Sequence, residues 1–354
     1  MDRKEPLRAN NSMKLNFEQI RTATWGAARI IEDEGCLNFY RCTKEQEDFL
    51  KSRKDECYRH SVGTAGVRLV FSTDSKTLLL KVRVKNISER KRFSFDVFAN
   101  QKLVGYLDNF SDIELPIDGT PIDLPVGDFE QVFDLDEGPK TVCIHFPYSA
   151  KGMIKEVVLD AGATFESVKS KKKMLVYGDS ITQGYYALRS SNRYIAKLAD
   201  YLGAEEMNKA IGSDRFCAEL ATLTDDIIPD YIVVAHGTND WRTSRTREAF
   251  REESGAFLHT IRKQYPMAKI IVVSPIWRKD YKDERPFGDF TKLDEDLRTV
   301  SKDIDNITVI RGFDLVPHEE QYFGDLQLHP NDKGFEAYFT NWMKQYRMTE
   351  EKRK

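Results

Sequence analysis

The sequence contains a serine and a histidine whose surroundings suit nucleophilic chemistry. Ser180 ends a Gly-Asp-Ser tripeptide and is followed by a further glycine, Gly184. A serine hydroxyl attacks a carbonyl carbon only when a neighbouring base removes its proton. Near the C-terminus, His329 follows Asp325, and an acid can orient an imidazole and stabilise its protonated form. Each segment alone also fits an ordinary turn, because Gly, Asp and Ser are common in turns.

Two further segments contain groups that can stabilise a negatively charged oxygen. Asn239 lies in the segment His236–Trp241, and its side-chain amide can donate to a developing oxyanion. Asn208 is followed by Gly212, whose backbone N–H can do the same. The alternative for the Asn239 segment is an Asx-turn or a helix cap, which Asn and Asp often form.

The elements around these residues alternate between strand and helix. This alternation predicts a parallel sheet with helices on both faces. The ligand site of such a sheet lies beyond the C-terminal ends of its strands, so the residues directly after each strand are the candidates. The predicted strands are Met174–Tyr177, Tyr231–Ala235, Ile270–Val273 and Thr308–Ile310, and the predicted helices are Tyr194–Leu202, Arg247–Gln264, Phe290–Asp303 and Asp332–Tyr346.

The N-terminal half has a different periodicity. Between about Gly66 and Asp160, short alternating runs rich in β-branched and aromatic residues are separated by turn residues, which predicts an antiparallel β-sandwich that is jelly-roll-like. The predicted strands are Val67–Phe71, Leu78–Val84, Phe93–Phe98, Gln131–Phe133, Lys140–Phe146 and Ile154–Leu159. The basic run Lys169–Lys173 then follows, and we interpret it as a solvated connection between domains in preference to a nucleic-acid patch.

Together these motifs resemble the SGNH hydrolases, also called GDSL esterases. The resemblance covers about Lys172 to Tyr346, and four segments carry it: Gly178-Asp179-Ser180-Ile181 with Gly184, Asn208 with Gly212, Gly237-Thr238-Asn239-Asp240, and His329-Pro330-Asn331. It implies a flavodoxin-like three-layer α/β/α domain. The predicted domain limits are 14–168 for the sandwich and 172–347 for the hydrolase domain. No Gly-x-Ser-x-Gly elbow occurs, so the α/β-hydrolase alternative lacks its signature.

The resemblance also implies a role for each site residue. Ser180 is the expected nucleophile and His329 the expected general base. The expected oxyanion hole consists of the N–H of Ser180, the N–H of Gly212 and the amide of Asn239. Loss of Asn239 is expected to cost about 3 kcal/mol of transition-state stabilisation. This mechanism needs no metal and no cofactor.

The sequence departs from the family pattern at two positions. The family usually places its acid three residues before the histidine, but that position is Leu326, and Asp325 lies one residue earlier. Either Asp325 or a backbone carbonyl then orients His329, and we favour Asp325. The glycine of the second segment usually falls five residues after the asparagine, where this chain has Ser213, so either Gly212 or Ser213 supplies the backbone N–H.

The order of the two domains resembles that of carbohydrate acetyl esterases with an N-terminal jelly roll. We therefore predict a serine esterase that hydrolyses short, mainly acetyl, esters on carbohydrate, with a small-molecule or oligosaccharide ester as substrate. The alternatives are a lipid-type esterase or thioesterase of the same family, and a carbohydrate-binding protein with weak or lost catalysis. Trp241 and Tyr185 are the predicted substrate contacts, while Tyr186 and Trp277 fit packing equally well. His236 lies beside the predicted site.

The composition excludes several other classes. The chain has 354 residues, 40% of them hydrophobic and 31% charged, which fits two globular domains. The net charge of −3 gives no general attraction for nucleic acid, and no apolar run is long enough for a membrane helix. The first twenty residues lack an apolar segment, and the five cysteines form no C-x-x-C pair. We therefore expect a cytoplasmic protein, with no prediction of its oligomeric state.

Overall fold

Alternating apolar residues build two antiparallel sheets that pack face to face in the N-terminal half. The longest strand of one sheet, Thr77–Asn86, shows the pattern, since its residues Leu78, Leu80, Val82 and Val84 are buried and the residues between them are half-exposed. The buried faces of both sheets form one apolar core. The strands are β1 (Ser12–Lys14), β2 (Thr24–Trp25), β3 (Arg29–Asp33), β4 (Cys36–Tyr40), β5 (Arg68–Thr73), β6 (Thr77–Asn86), β7 (Ser94–Ala99), β8 (Lys102–Asp108), β9 (Gly127–Asp134), β10 (Lys140–His145), β11 (Ala150–Asp160) and β12 (Glu166–Ser167).

The strand order defines a two-sheet sandwich. One sheet has the order β3-β4-β11-β6-β9 with β1 beside β11, and the other has the order β12-β5-β10-β7-β8 with β2 beside β5. The structure is a computed structural model, and it describes residues 12–116, 120–243 and 245–352. The prediction that the N-terminus is not a secretory signal concerned the first twenty residues. Residues 1–11 of that segment lie outside the described residues. Among the described residues, no helix combines the length and the apolar character needed to cross a membrane.

Three helices in the N-terminal half were not predicted from the sequence: α1 (Phe17–Ala23), α2 (Lys44–Arg53) and α3 (Asp55–Ser61). Helix α2 begins with a capping box, in which the Thr43 hydroxyl accepts from the Gln46 N–H and the Gln46 side chain accepts from the Thr43 N–H. Leu50 of α2 and Cys57 of α3 pack against Ile211 of the C-terminal half. The sandwich domain thus places two helices beside the segment that contains Gly212.

The C-terminal half has one parallel sheet between two layers of helices. Its strand order β14-β13-β15-β16-β17 is the flavodoxin-like order. Met174 and Val176 face the side covered by α5 and α10, while Leu175 and Tyr177 face the side covered by α8 and α9. The strands are β13 (Lys172–Gly178), β14 (Ala204–Asn208), β15 (Tyr231–Ala235), β16 (Lys269–Val273) and β17 (Ile307–Ile310), and the helices are α4 (Ser180–Gln183), α5 (Tyr194–Leu202), α6 (Ala218–Thr222), α7 (Thr238–Arg242), α8 (Arg247–Gln264), α9 (Lys292–Ser301) and α10 (Asp332–Glu351).

The predicted fold class is confirmed for both halves. An antiparallel sandwich precedes a three-layer α/β/α domain with a parallel sheet. The domain limits 14–168 and 172–347 stay a prediction. The basic run between the domains is partly ordered, since Lys172 and Lys173 begin β13 and the Lys173 N–H donates to the Asp230 carboxylate.

Candidate active site

Ser180 lies where β13 ends and α4 begins. Asp179 caps this short helix by accepting from the Ile181 N–H at 2.9 Å, and Gly184 ends it in a left-handed conformation with φ of 118°. A side chain at Gly184 would collide with Arg193, because an added Cβ would lie 2.0 Å from its Cδ. The turn therefore requires glycine, and it presents the Ser180 hydroxyl beyond the C-terminal edge of the sheet.

A continuous hydrogen-bond chain joins Ser180, His329 and Asp325. The Ser180 Oγ lies 2.7 Å from His329 Nε2, and Asp325 Oδ2 lies 2.6 Å from His329 Nδ1. Asp325 Oδ1 accepts from the backbone N–H groups of Gln327, Leu328 and His329. One carboxylate thus holds both the imidazole and the backbone of the loop that carries it.

The loop accommodates the shifted acid through an unusual backbone conformation. Leu326, which stands where the family usually has its acid, has a φ of 60°, a left-handed value that costs an L-residue about 1 kcal/mol or more. This turn takes up the extra residue between Asp325 and His329. The loop is closed by a hydrogen bond from the Gly324 N–H to the His329 carbonyl at 2.8 Å. The strain at Leu326 is thus offset by the bonds that Asp325 makes.

The electrostatics keep His329 neutral and Asp325 charged near neutral pH. Burial lowers the pKa of His329 below its ordinary value of 6.5; Asp325 opposes this shift, while Arg90 and Arg278 add to it. Burial raises the pKa of Asp325, but the hydrogen bond and charge of His329 and the N–H groups of the loop outweigh it and hold this pKa well below its ordinary range. A neutral imidazole beside a carboxylate can accept the Ser180 proton.

Two of the three predicted oxyanion donors are available in the structure. The Asn239 Nδ2 donates one hydrogen to the Asp214 carbonyl at 2.8 Å, which fixes the amide and leaves its second hydrogen free. Within the described ranges, the Ser180 N–H has no hydrogen-bond acceptor. Both residues line one cavity together with His329.

The prediction for Gly212 is wrong. Its N–H donates to Gln183 Oε1 at 2.9 Å, so it is occupied. Glycine is needed there for another reason, since an added Cβ would lie 2.5 Å from the His60 ring. The neighbouring Ser213 has a left-handed φ of 65°, lines the cavity, and its N–H has no acceptor in the part of the chain that the structure describes. Of the two alternatives that the sequence left open, the free N–H is that of Ser213.

The sandwich domain contributes to the cavity that contains Ser180. The cavity has a volume of about 320 Å³, and Glu56, His60 and Arg90 from the N-terminal half line it. Arg41, which is completely buried, anchors the adjoining segment, because its guanidinium donates to the carbonyls of Asn208 and Ala210 at 2.8 Å and 3.0 Å. Local sequence patterns do not reveal these contributions, although the capping box at Thr43 indicates the start of α2.

The prediction that Trp241 contacts substrate is also wrong. Trp241 is 0% exposed, packs against Phe290, and donates its indole N–H to the Gly288 carbonyl at 2.9 Å. Tyr185 does line the cavity, with its ring 6.4 Å from that of His329, so its contact with substrate stays a prediction. Trp277 is a packing residue that stacks on His318.

His236 lies in the core beneath the site. It is 2% exposed, and its ring packs between those of Phe216 and Phe257. Burial lowers the pKa of His236 to about 4, so it is neutral at neutral pH. His236 does not line the cavity around Ser180.

Ser180 at the end of β13, and His329 with Asp325 in the loop before α10, have the arrangement of groups that serine hydrolases use. Residues 176–337 match the model of the GDSL-like Lipase/Acylhydrolase family. No curated protein matches the chain.

Solved structures resemble the chain over both domains. A salicylyl-acyltransferase, SsfX3, from a tetracycline biosynthetic pathway matches with a TM-score of 0.80 and 19% identity, covering 97% of this chain and 98% of that one. A family two carbohydrate esterase from Cellvibrio japonicus matches with a TM-score of 0.62 and 16% identity, covering 95% and 97%. An acetyl xylan esterase from Butyrivibrio proteoclasticus matches with a TM-score of 0.60 and 13% identity, covering 96% and 98%. At these identities the likeness establishes the shared fold.

Proposed function

We propose that the protein is a serine esterase that removes short acyl groups, mainly acetyl, from hydroxyls of carbohydrates. The observation that carries the proposal is the hydrogen-bond chain Ser180–His329–Asp325, with distances of 2.7 Å and 2.6 Å, inside a cavity that also contains Asn239. Among its structural relatives is a family two carbohydrate esterase from Clostridium thermocellum in complex with cellohexaose, and another is the acetyl xylan esterase named above.

The proposed reaction begins with attack on the ester carbonyl. His329 Nε2 removes the Ser180 proton as Oγ bonds to the carbonyl carbon, and Asp325 stabilises the resulting imidazolium. The negative charge on the carbonyl oxygen is met by the N–H groups of Ser180 and Ser213 and by the free amide hydrogen of Asn239. These donors are in place before reaction, so little reorganisation is needed when the charge develops.

The second half of the reaction releases the products. His329 protonates the leaving alcohol oxygen as its bond to carbon breaks, which leaves an acyl group on Ser180. His329 then removes a proton from water, whose oxygen attacks the acyl carbon, and returns that proton to Ser180 as the carboxylic acid departs. Each step uses the same base and the same oxyanion donors.

The lining of the cavity favours a small polar substrate over a lipid. Charged side chains surround the site, including Glu56, Arg242 and Asp280, and Gln327 adds an amide. Sugar hydroxyls can bond to such groups, whereas a long acyl chain would leave their hydrogen bonds unmade at a cost of about 1 to 3 kcal/mol each. The lipid-type esterase or thioesterase is therefore the second choice. A carbohydrate-binding protein without catalysis would have no use for the complete hydrogen-bond chain.

Acyl-chain length tests this choice directly. We expect kcat/KM for 4-nitrophenyl acetate to exceed that for the octanoate by at least about tenfold, which is about 1.4 kcal/mol of transition-state binding. Acetate release from acetylated xylo-oligosaccharides is the complementary measurement. A preference for octanoate would support the lipid-type alternative, and equal rates for both esters would leave acyl size without a role in specificity.

The pH dependence follows from the lowered pKa of His329. Since kcat/KM reports the ionisation of the free enzyme, we expect it to rise with pH and to level off, with a midpoint below 6.5, as the imidazole loses its proton. The midpoint lies below 6.5 because the pKa of His329 is lowered, so the neutral imidazole is already available at lower pH. A midpoint above 6.5 in the acetate assay would contradict this electrostatic description of His329.

A further inference from the structure

Three arginines and three carboxylates line the cavity around Ser180, but two of the arginines have no carboxylate partner among the described residues. Arg278 is paired with the Asp280 carboxylate, while Asp325 is held by His329. Glu56 is paired with Lys54. Arg90 and Arg242 also line the cavity, and within residues 12–116, 120–243 and 245–352 no carboxylate pairs with either of them. Arg90 and Arg242 are thus the cations of the lining that a bound anion could pair with.

Arg90 is the more constrained of the two arginines. Its guanidinium lies over the rings of Tyr186 and Tyr185, with centroid distances of 3.7 Å and 4.8 Å. Its Nη1 is buried with no hydrogen-bond acceptor among the described residues, and its Nε and Nη2, which are not among the buried atoms, have no acceptor there either. The accessible Nε and Nη2 can therefore donate to a partner that binds in the cavity, whereas Nη1 is enclosed by the protein.

The position of Arg90 places its accessible N–H groups close to the reacting groups. The Tyr186 ring that supports Arg90 also lies against the His329 ring, with centroids 5.4 Å apart. Arg90 comes from the connection between β6 and β7, so it is the sandwich domain that brings this charge to the cavity. A guanidinium restrained over two aromatic rings keeps its planar fork of N–H donors, which suits two parallel bonds to a carboxylate.

We propose that the ester substrate carries a carboxylate on its alcohol part, as an acetylated uronic acid does, and that Arg90 of the sandwich domain binds this carboxylate. This inference rests on the proposed esterase function and names the substrate class of the same site. It also gives the sandwich domain a part in substrate selection. Arg242, which is exposed, adds positive charge to the same cavity without being fixed by aromatic rings.

A matched pair of substrates tests the proposal. One is a methyl glucuronoside acetylated on its ring hydroxyls, and the other is the same compound with its carboxylate converted to a carboxamide, which removes the charge and keeps the size. We expect the wild-type protein to release acetate from the acid with a kcat/KM at least about tenfold higher than from the amide. The preference should decrease at high salt, because ions screen the interaction.

Variants of Arg90 assign the preference to this residue. Arg90→Gln is expected to remove the preference for the acid, and Arg90→Lys to restore part of it, since lysine keeps the charge without the planar fork. Arg92→Gln is the matched control, because Arg92 is near in sequence but does not line this cavity. The thermal midpoint of each variant is measured beside its rates to confirm folding.

The outcomes separate this inference from the proposed function. Equal rates for acid and amide in the wild type, or a preference that survives in Arg90→Gln, would overturn the inference. Loss of the preference in Arg242→Gln but not in Arg90→Gln would also overturn it, since the other arginine would then bind the carboxylate. The esterase proposal has its own readout, hydrolysis of uncharged 4-nitrophenyl acetate that depends on Ser180, and it fails only if that activity is absent.

Discussion

Ser180→Ala is expected to lower kcat for 4-nitrophenyl acetate by about 10⁴-fold to 10⁶-fold, to near background. The Ser180 hydroxyl is the atom that lies 2.7 Å from the proposed base, and alanine offers no nucleophile in its place. His329→Ala should fall to a similar level, because neither group works without the other. The oxyanion donors do not depend on the Ser180 hydroxyl, so a small residual rate over uncatalysed hydrolysis is expected to remain.

Two controls make this result interpretable. The double variant Ser180→Ala with His329→Ala should be no slower than either single variant, since the residues act as a unit. Ser190→Ala removes a buried serine hydroxyl that has no hydrogen-bond partner within the described chain and lies outside the cavity, so its rate should match the wild type. A Ser180→Ala variant that keeps more than about 1% of the wild-type rate, some 2.7 kcal/mol of barrier, would contradict the assignment.

Asp325→Asn is expected to lower kcat by about 10⁴-fold. The substitution keeps an oxygen that can accept from the loop N–H groups, so the loop should fold. The amide nitrogen, however, would face His329 Nδ1 and favour the imidazole tautomer whose proton lies on Nε2, which cannot accept from Ser180. The rate should therefore fall while the thermal midpoint changes little.

A different outcome for Asp325 would change the mechanism. Asp314→Asn provides the control, since Asp314 is an exposed acid that pairs with Arg311 and does not line the cavity. If Asp325→Asn stays within about tenfold of the wild type, under 1.4 kcal/mol, the carboxylate is not essential. A Ser–His pair oriented by backbone would then describe the site better, and the hydrogen bonds of Asp325 would serve the loop alone.

Elements with a strong local period could be predicted from the sequence. The bounds of β15 and of helices α5 and α8 agree with the predicted Tyr231–Ala235, Tyr194–Leu202 and Arg247–Gln264. In these segments the apolar residues repeat with the period of the element, and nearby Gly, Pro or Thr residues mark the ends. Ser180 and Asn239 were candidates because they follow β13 and β15, whose carboxyl ends lie at one edge of the sheet, and His329 was added by the family resemblance.

The errors concern contacts between residues that are distant in the chain. The N–H of Gly212 is occupied by Gln183, which is distant in sequence, and no local pattern reveals that bond. Arg90 lines the cavity only because the sandwich packs against the C-terminal half, and a local sequence pattern does not show that packing. The burial of Trp241 follows from helix geometry. Asn239 and Trp241 are two residues apart on α7 and therefore face away from each other, and it is Asn239 that lines the cavity.

Covalent labelling tests the central claim most directly. The protein is treated with a fluorophosphonate, which phosphonylates an activated serine, and the modified peptide is identified by mass spectrometry. We expect one label per chain, on Ser180, with loss of acetate-ester hydrolysis in proportion to labelling, and no label on the Ser180→Ala or His329→Ala variants. A label on another serine, or full hydrolytic activity in protein labelled at Ser180, would contradict the proposal that Ser180 is the nucleophile of this domain.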